Sequence, residues 1–160
     1  MPSNISGSSK SSPEWFDAWR GVLFAHGQVI REIEKYLQAE HQLPLSWFDV
    51  LGRLASAPSA RLRMSELSEA ALFTRSGLTR LVDRIGEAGL VRRERIAGDR
   101  RGVSVVLTPA GREKFEQAFE GHRATVEQAF SSKMSPRQWR QVGKALVGGT
   151  QCLHRSSFTG

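Results

Sequence analysis

Between Leu62 and Thr108 the chain reads LRMSELSEAALFTRSGLTRLVDRIGEAGLVRRERIAGDRRGVSVVLT, and this stretch decides the fold. A short helix, a longer helix and a basic β-hairpin follow one another in it with few residues to spare. In the first unit, Met64 to Leu72, Leu67, Ala70 and Ala71 fall on one side and Ser65, Glu66, Ser68 and Glu69 on the other. This is helical spacing, with acids in the first turns where the helix macrodipole favours negative charge. The pattern breaks at Phe73-Thr74, and Thr74 is placed to cap the next helix through its hydroxyl. From Arg75 onward, Leu78, Leu81, Val82 and Ile85 recur at three and four residues and predict a buried stripe. Gly89 is expected to end that helix in the left-handed conformation.

The hairpin follows. Leu90 to Arg95 is expected to rise as one strand and Ala97 to Gly102 to turn. Val103 to Leu107 should return with Val103, Val105 and Leu107 on one face. Thr108-Pro109 then reads as a cap followed by proline at the first helical position. Helix, helix and hairpin in this order make a winged helix-turn-helix. Off the buried stripe of the second helix lie Arg75, Ser76, Thr79, Arg80 and Arg84. Short hydroxyls and forked guanidiniums at a helix N-terminus reach base edges and phosphates in a major groove. Gly77, without a side chain, allows close approach, and Ser65 and Thr74 join the same candidate set. A solvated helix face would carry similar residues; the neighbouring arginine-rich hairpin is what favours nucleic acid. For Arg84 an internal acidic partner, wing Asp99 among them, is an equal reading. In the wing, Arg95, Arg100 and Arg101 suit a phosphate backbone or a minor groove. Asp99 is the odd acid there. Phosphate would repel it, so its expected task is to pair with Arg101 or with a helix arginine.

Taken together, LRMSELS, SGLTRLVDRI, EAGLVRRE and GDRRGVSVVLTPAGR resemble the MarR (multiple antibiotic resistance regulator) family. The D-x-R of the wing, Asp99-Arg100-Arg101, is the most recognisable piece. The resemblance implies a homodimer with interlocking terminal helices, binding a pseudo-palindromic double-stranded DNA operator as a transcriptional regulator, a repressor. It also implies that Asp99 and Arg101 act as the orienting pair. A small aromatic or phenolic effector is implied too, held between the dimer helices and the reading part. Its candidate lining is Trp15, Trp19, His26, Trp47, Phe48 and Asp49. The alternative for the aromatic residues is plain core, and for Asp49 a place in solvent.

Outward from this core, residues 1–13 read as a flexible arm. A long helix over 14–41 puts Trp15, Trp19, His26, Ile33 and Leu37 on one face. That is more apolar length than one small core requires, and marks an N-terminal dimerisation helix. Residues 45–108 form the winged helix-turn-helix DNA-binding domain. It opens with a helix from Trp47 to Ala57, capped by Ser46 and ended before Pro58, which offers Phe48 or Trp47, Leu51 and Leu54 to the core. Residues 109–153 hold C-terminal dimerisation helices. One runs from Pro109 to about Phe130, with Phe115, Phe119, His122, Val126 and Phe130 at three-four spacing. After a break at Ser131-Ser132-Lys133, the other runs from Pro136 to about Val147, with Trp139, Val142 and Leu146 apolar and Gly148-Gly149 as its stop. Residues 154–160 read as a flexible tail. The fold class is mainly α with a small β-hairpin wing.

At 160 residues the chain is long enough for a real core, read as one domain with terminal arms. Its net charge of +7 and pI near 10.5 favour an anionic partner, and arginine outnumbers lysine more than threefold. No apolar run approaches the ~20 residues that span a bilayer, so no membrane role is expected. Met1 to Ser12 is serine-rich with one lysine, unlike a secretory leader. The expected location is cytoplasmic, nucleoid-associated when bound to DNA. The lone Cys152 excludes an internal disulfide and reads as an incidental thiol. His26, His41, His122 and His154 have no metal-ligand spacing. Neither a Ser-His-Asp order, a carboxylate pair nor a phosphate loop stands out, so no cofactor, metal or enzymatic activity is expected. The rival reading is a winged-helix protein-interaction module without sequence-specific DNA binding. Arg101→Ala is expected to weaken operator binding by ~1–3 kcal/mol and to flatten its salt dependence. Titration at several salt concentrations measures both, and unchanged values would remove the wing from the interface.

Overall fold

The computed structural model describes residues 13–70, 75–96, 98–99, 102–130 and 134–150. In chain order come α1 (Glu14–His41), α2 (Leu45–Ser56), β1 (Arg61–Arg63), α3 (Met64–Ala70), α4 (Arg75–Glu87), β2 (Val91–Arg95), β3 (Val103–Leu107), α5 (Pro109–Phe130) and α6 (Pro136–Thr150). The fold is mainly helical, with one antiparallel sheet of order β1-β3-β2. Three expected features lie outside the described residues: the end of the first reading-head helix at Leu72, the Thr74 cap, and the break at 131–133. So do residues 1–12 and 151–160, which include Cys152 and His154.

Helix α1 is 28 residues long and ends at Gln42, whose φ of 49° is left-handed. There the Gln42 and Leu43 N–H groups donate to the Gln38 and Leu37 carbonyls, each at 3.1 Å. Leu43 is then buried, the apolar contact that accompanies such a cap. Helix α2 starts at Leu45, earlier than expected, and Ser46 does not cap it. The N-cap is Pro44, with no side-chain cap bond, and its carbonyl accepts from Trp47 and Phe48 N–H at 2.9 and 3.0 Å. Phe48, Val50, Leu51 and Leu54 of α2 enter the core, and Trp47 is half-buried against it.

Strand β1 was not foreshadowed by the sequence pattern, and it changes the sheet. It pairs Arg61, Leu62 and Arg63 with Val106, Val105 and Ser104 of β3. On the other edge, Arg92, Arg93 and Glu94 of β2 pair with Val106, Val105 and Ser104. β3 is therefore central. Val103, Val105 and Leu107 share one face of β3 as expected, but burial is not confined to that face: Ser104, Val105, Val106 and Leu107 are all buried, and Val103 only half so. The register explains this. Val106 lies on the central strand between Arg61 and Arg92, flanked by a neighbouring strand on each edge.

The stripe on α4 behaves as expected, with Leu78, Leu81, Val82 and Ile85 all in the core. Gly89 ends the helix at φ 74°, its N–H on the Gly86 carbonyl (2.9 Å) and Leu90 N–H on the Ile85 carbonyl (3.1 Å). Thr108 then ties the hairpin back to this point. Its N–H donates to the Leu90 carbonyl (3.1 Å), and its hydroxyl hydrogen is shared between the Gly89 and Leu90 carbonyls (2.8 and 3.0 Å). The same oxygen accepts from Gly111 N–H at 3.0 Å, capping α5 as expected.

Helix α5 packs along α1. Gly121 permits the approach, because a Cβ there would lie 2.0 Å from the Tyr36 hydroxyl. That hydroxyl is 2.8 Å from His41 Nε2. On its other side α5 meets α2 in a ring cluster. Phe48 lies 5.1 Å from Phe115 and 4.7 Å from His122, centroid to centroid. His122 Nδ1 is buried without a hydrogen-bond partner. Helix α6 runs to Thr150, so Gly148-Gly149 do not stop it; i→i−4 bonding continues where only helix propensity argued against it.

Two outcomes follow. A Cβ on Gly111 would sit 2.0 Å from the Leu90 carbonyl oxygen, a backbone atom that cannot swing away. Gly111→Ala is therefore expected to lower stability by ~1–3 kcal/mol, read by urea unfolding. Burial also holds the His122 imidazole below its ordinary value of 6.5. The unfolded chain then binds the extra proton first, so this contribution to stability is full above pH 6.5 and is lost as pH falls below it. His122→Phe should flatten that acid limb in thermal unfolding measured across pH 5 to 8; an unchanged limb would assign it to other groups.

Candidate nucleic-acid interface

The exposed side of α4 is built by what its other side buries. With four apolar residues committed to the core, Ser76, Gly77, Arg80 and Arg84 are turned to solvent and Thr79 is half-buried. Arg75 opens the helix. Ser65 is exposed in the first turn of α3. Ahead of α3, the Glu66 carboxylate accepts from Arg63 N–H at 2.6 Å, one half of a capping box, and helps fix the start of the helix.

Beside α4 stands the wing. Its turn closes with Ile96 N–H on the Gly102 carbonyl (3.0 Å) and Gly102 N–H on the Asp99 carbonyl (3.1 Å), and Gly98 takes φ 82°. Arg95 is exposed at the end of β2. Arg100 and Arg101 lie outside the described residues, so the expected Asp99–Arg101 pair does too. Asp99 does have a cationic neighbour, Arg63 Nη1 of β1 at 3.6 Å. The expectation had looked to the wing or a helix for that partner and had not considered β1.

Other acids divide the remaining arginines. Glu94 takes Arg61 and Arg92 together, the latter at 2.7 Å. These three share the outer face of the sheet, where a single carboxylate holds the heads of the two arginines that flank Val106 in the register. Arg93, on the opposite face with Val91 and Arg95 by strand alternation, places Nη2 2.8 Å from Asp83 Oδ1 and donates to the Thr79 carbonyl at 3.2 Å. Arg80, Arg84 and Arg95 join no ion pair among the described residues and remain as exposed cations. Arg84 is thus not held by Asp99, one of the two readings its sequence position allowed. Sequence reasoning overlooked Arg63 and Arg93. Period-two alternation from Val91 could have put Arg93 on the helix-facing side of β2, but nothing in the sequence signalled β1.

The residues expected to line an effector site are dispersed within one chain. Trp15 and Trp19 flank Phe16 (centroids 5.6 and 5.4 Å) near the start of α1 and are 70% and 51% exposed. His26 is exposed. Phe48 sits in the ring cluster with Phe115 and His122, and Asp49 is paired with Arg53 Nε at 2.9 Å. The apolar face of α1 that carries Ile33 and Leu37 into the core runs on uncovered through Val22, Leu23, Trp19 and Trp15. Helix α6 likewise packs only slightly on its own chain, and its Leu146 is 50% exposed. Among the described residues, no group of three or more His, Cys, Asp or Glu could hold a metal ion. No helix there is long and apolar enough to cross a membrane.

Comparison with known proteins supplies the context. The profile of the MarR family matches residues 41–102, from the end of α1 to the far side of the wing turn. The crystal structure of AbsC, a MarR family transcriptional regulator from Streptomyces coelicolor, is 30% identical with a TM-score of 0.81. It covers 91% of this chain and 98% of that one. Sco3205, a MarR family transcriptional regulator from the same organism solved in complex with DNA, is 31% identical with a TM-score of 0.81. Coverage is 94% of both chains. The transcriptional repressor YetL of Bacillus subtilis is 29% identical over 104 residues, 65% of this chain and 62% of that protein. The chain spans less than two thirds of the length of the curated relatives it matches.

Proposed function

Because the chain belongs to the MarR family of transcriptional regulators, we propose that it is a homodimeric repressor that binds a pseudo-palindromic DNA operator. Residues 45–108 act as the reading domain, and the helices of 14–41 and 109–153 as the dimerisation parts. The observation that carries the reading is the exposed face of α4. Ser76, Gly77, Arg80 and Arg84 are exposed there, Arg80 and Arg84 join no ion pair among the described residues, and Arg95 is exposed at the end of β2 on the wing. In this reading α4 enters the major groove, with Thr79 and Arg80 toward base edges, while the wing cations meet the flanking phosphates or minor groove. The bound DNA of Sco3205 supports the partner, and the repressor YetL supports the sign of regulation.

Two-fold assembly follows from the uncovered stripe of Trp15, Trp19, Val22 and Leu23 and from α6. A second copy, presenting the same surfaces, would bury all of them at once. The half-sites then lie about one helical turn apart. Release by a small aromatic or phenolic compound is part of the same proposal. The Phe48–Phe115–His122 cluster, which joins α2 of the reading domain to α5 of the dimer part and carries one unsatisfied nitrogen, supports it. Footprinting across the upstream intergenic DNA should show a short protected inverted repeat. Arg80→Ala should weaken protection by ~1–3 kcal/mol and relax base preference within the half-site. Salt-sensitive coating without a defined site, or no affinity at low salt, would favour the protein-interaction module instead.

A further inference from the structure

We propose that Arg93 is a positioning residue that fixes the angle between α4 and the wing, so that the groove-reading helix and the wing cations meet one duplex together. The inference rests on the DNA-binding reading above. Besides the apolar core that Val91, Val105 and Leu107 share with the α4 stripe, two polar attachments join the wing to α4. One is the backbone junction at Gly89, Leu90 and Thr108, beyond the helix C-terminus. The sheet and the core hold the base of the hairpin here, and β2, an edge strand, runs on from it toward the wing turn. The second point is the guanidinium of Arg93, held by the Asp83 carboxylate at 2.8 Å and the Thr79 carbonyl at 3.2 Å. Thr79 and Asp83 are four residues apart and lie one above the other on the helix surface, so one side chain grips a full turn. Asp83 is six residues before Gly89, ~9 Å back along the helix axis. A second attachment at that distance ties the edge strand to the helix surface beyond the junction and so sets the angle between them.

The chemistry suits arginine. Both contacts are made by Nη2, whose two N–H bonds have fixed directions in the guanidinium plane and so hold a carboxylate and a carbonyl together, where an ammonium gives a point charge without preferred directions. The pair is also neutral overall, so it adds nothing to attraction for phosphate. It is partly exposed, and such pairs contribute little to folding. Loss of Arg93 therefore registers in recognition and leaves the chain folded. The acid is the informative partner. Were Asp83 a plain surface charge near DNA, removing it would tighten every duplex; as half of a positioning pair, its removal loosens the specific one.

The experiment begins with a duplex enriched from a random-sequence library by the wild-type protein, compared with a scrambled duplex of the same composition. Arg93→Gln is expected to lose roughly tenfold in affinity for the enriched duplex, within the range of coupling between contacting residues. It should keep its affinity for the scrambled one and its salt slope. Asp83→Asn is expected to lose affinity for the enriched duplex as well, and the double variant to be no worse than the poorer single. Equal losses on both duplexes with a shallower salt slope for Arg93→Gln would make Arg93 a phosphate contact and overturn the proposal. Tighter binding by Asp83→Asn, or unchanged affinity in Arg93→Gln, would overturn it too. If the wild type enriches no sequence, the DNA-binding reading itself falls and takes this inference with it, an outcome seen before any variant is made.

Discussion

One backbone carbonyl, that of Leu90, governs where the parts of the reading head can go. It accepts from both the amide and the hydroxyl of Thr108, which in turn caps α5 through Gly111. A Cβ on Gly111 would reach 2.0 Å from it, so the start of α5 is seated directly against it. The end of α4, the start of β2, the end of β3 and the start of α5 thus leave from one small region. Since α5 then packs along α1, the orientation of the reading helix is passed to the long helix pair through a few hydrogen bonds with little slack. Buried backbone groups must be paired somewhere, and here the pairing doubles as the joint between two functional halves.

Around that joint, charge is apportioned with more selectivity than the net value of +7 suggests. Asp83, Glu94 and Asp99 sit inside the most basic part of the chain, and each has arginine beside it: Arg93, the Arg61–Arg92 couple, and Arg63. Those arginines are structural. Their heads tie β1 to β2, β1 to the wing turn and β2 to α4. Among the described residues of α4 and the wing, Arg80, Arg84 and Arg95 are exposed and join no ion pair. A count of basic residues overstates the electrostatic footprint, because neighbouring acids decide which cations face outward.

Much of this was readable in advance where one physical rule dominated. The α4 stripe, the Gly89 stop and the Thr108-Pro109 start each rest on local chemistry, helical periodicity, left-handed φ and capping, and all three hold. The failures have a different origin. Strand β1 is three residues long, too short for alternation to register, and its pairing partner lies some forty positions away in β3. Missing it hid the central position of β3, and with it the burial of Val106 and the place of Arg63. The Ser46 cap failed because Pro44 starts the helix first. The Asp83–Arg93 pair joins a helix to a strand across a turn, a relation that periodicity within either element cannot express.

The uncovered stripe of α1 bears on inheritance as well as on assembly. In the proposed dimer, the surfaces that choose a partner, Trp15, Trp19, Val22, Leu23 and the face of α6, are separate in sequence from those that face DNA. A copy with a damaged reading head would still be accepted as a partner and would draw intact copies into assemblies with one working half. Alleles altered in α4 or the wing would therefore be dominant over the normal allele. Alleles altered in the α1 stripe would drop out of pairing and be recessive. The position of a lesion along the chain would determine its genetics.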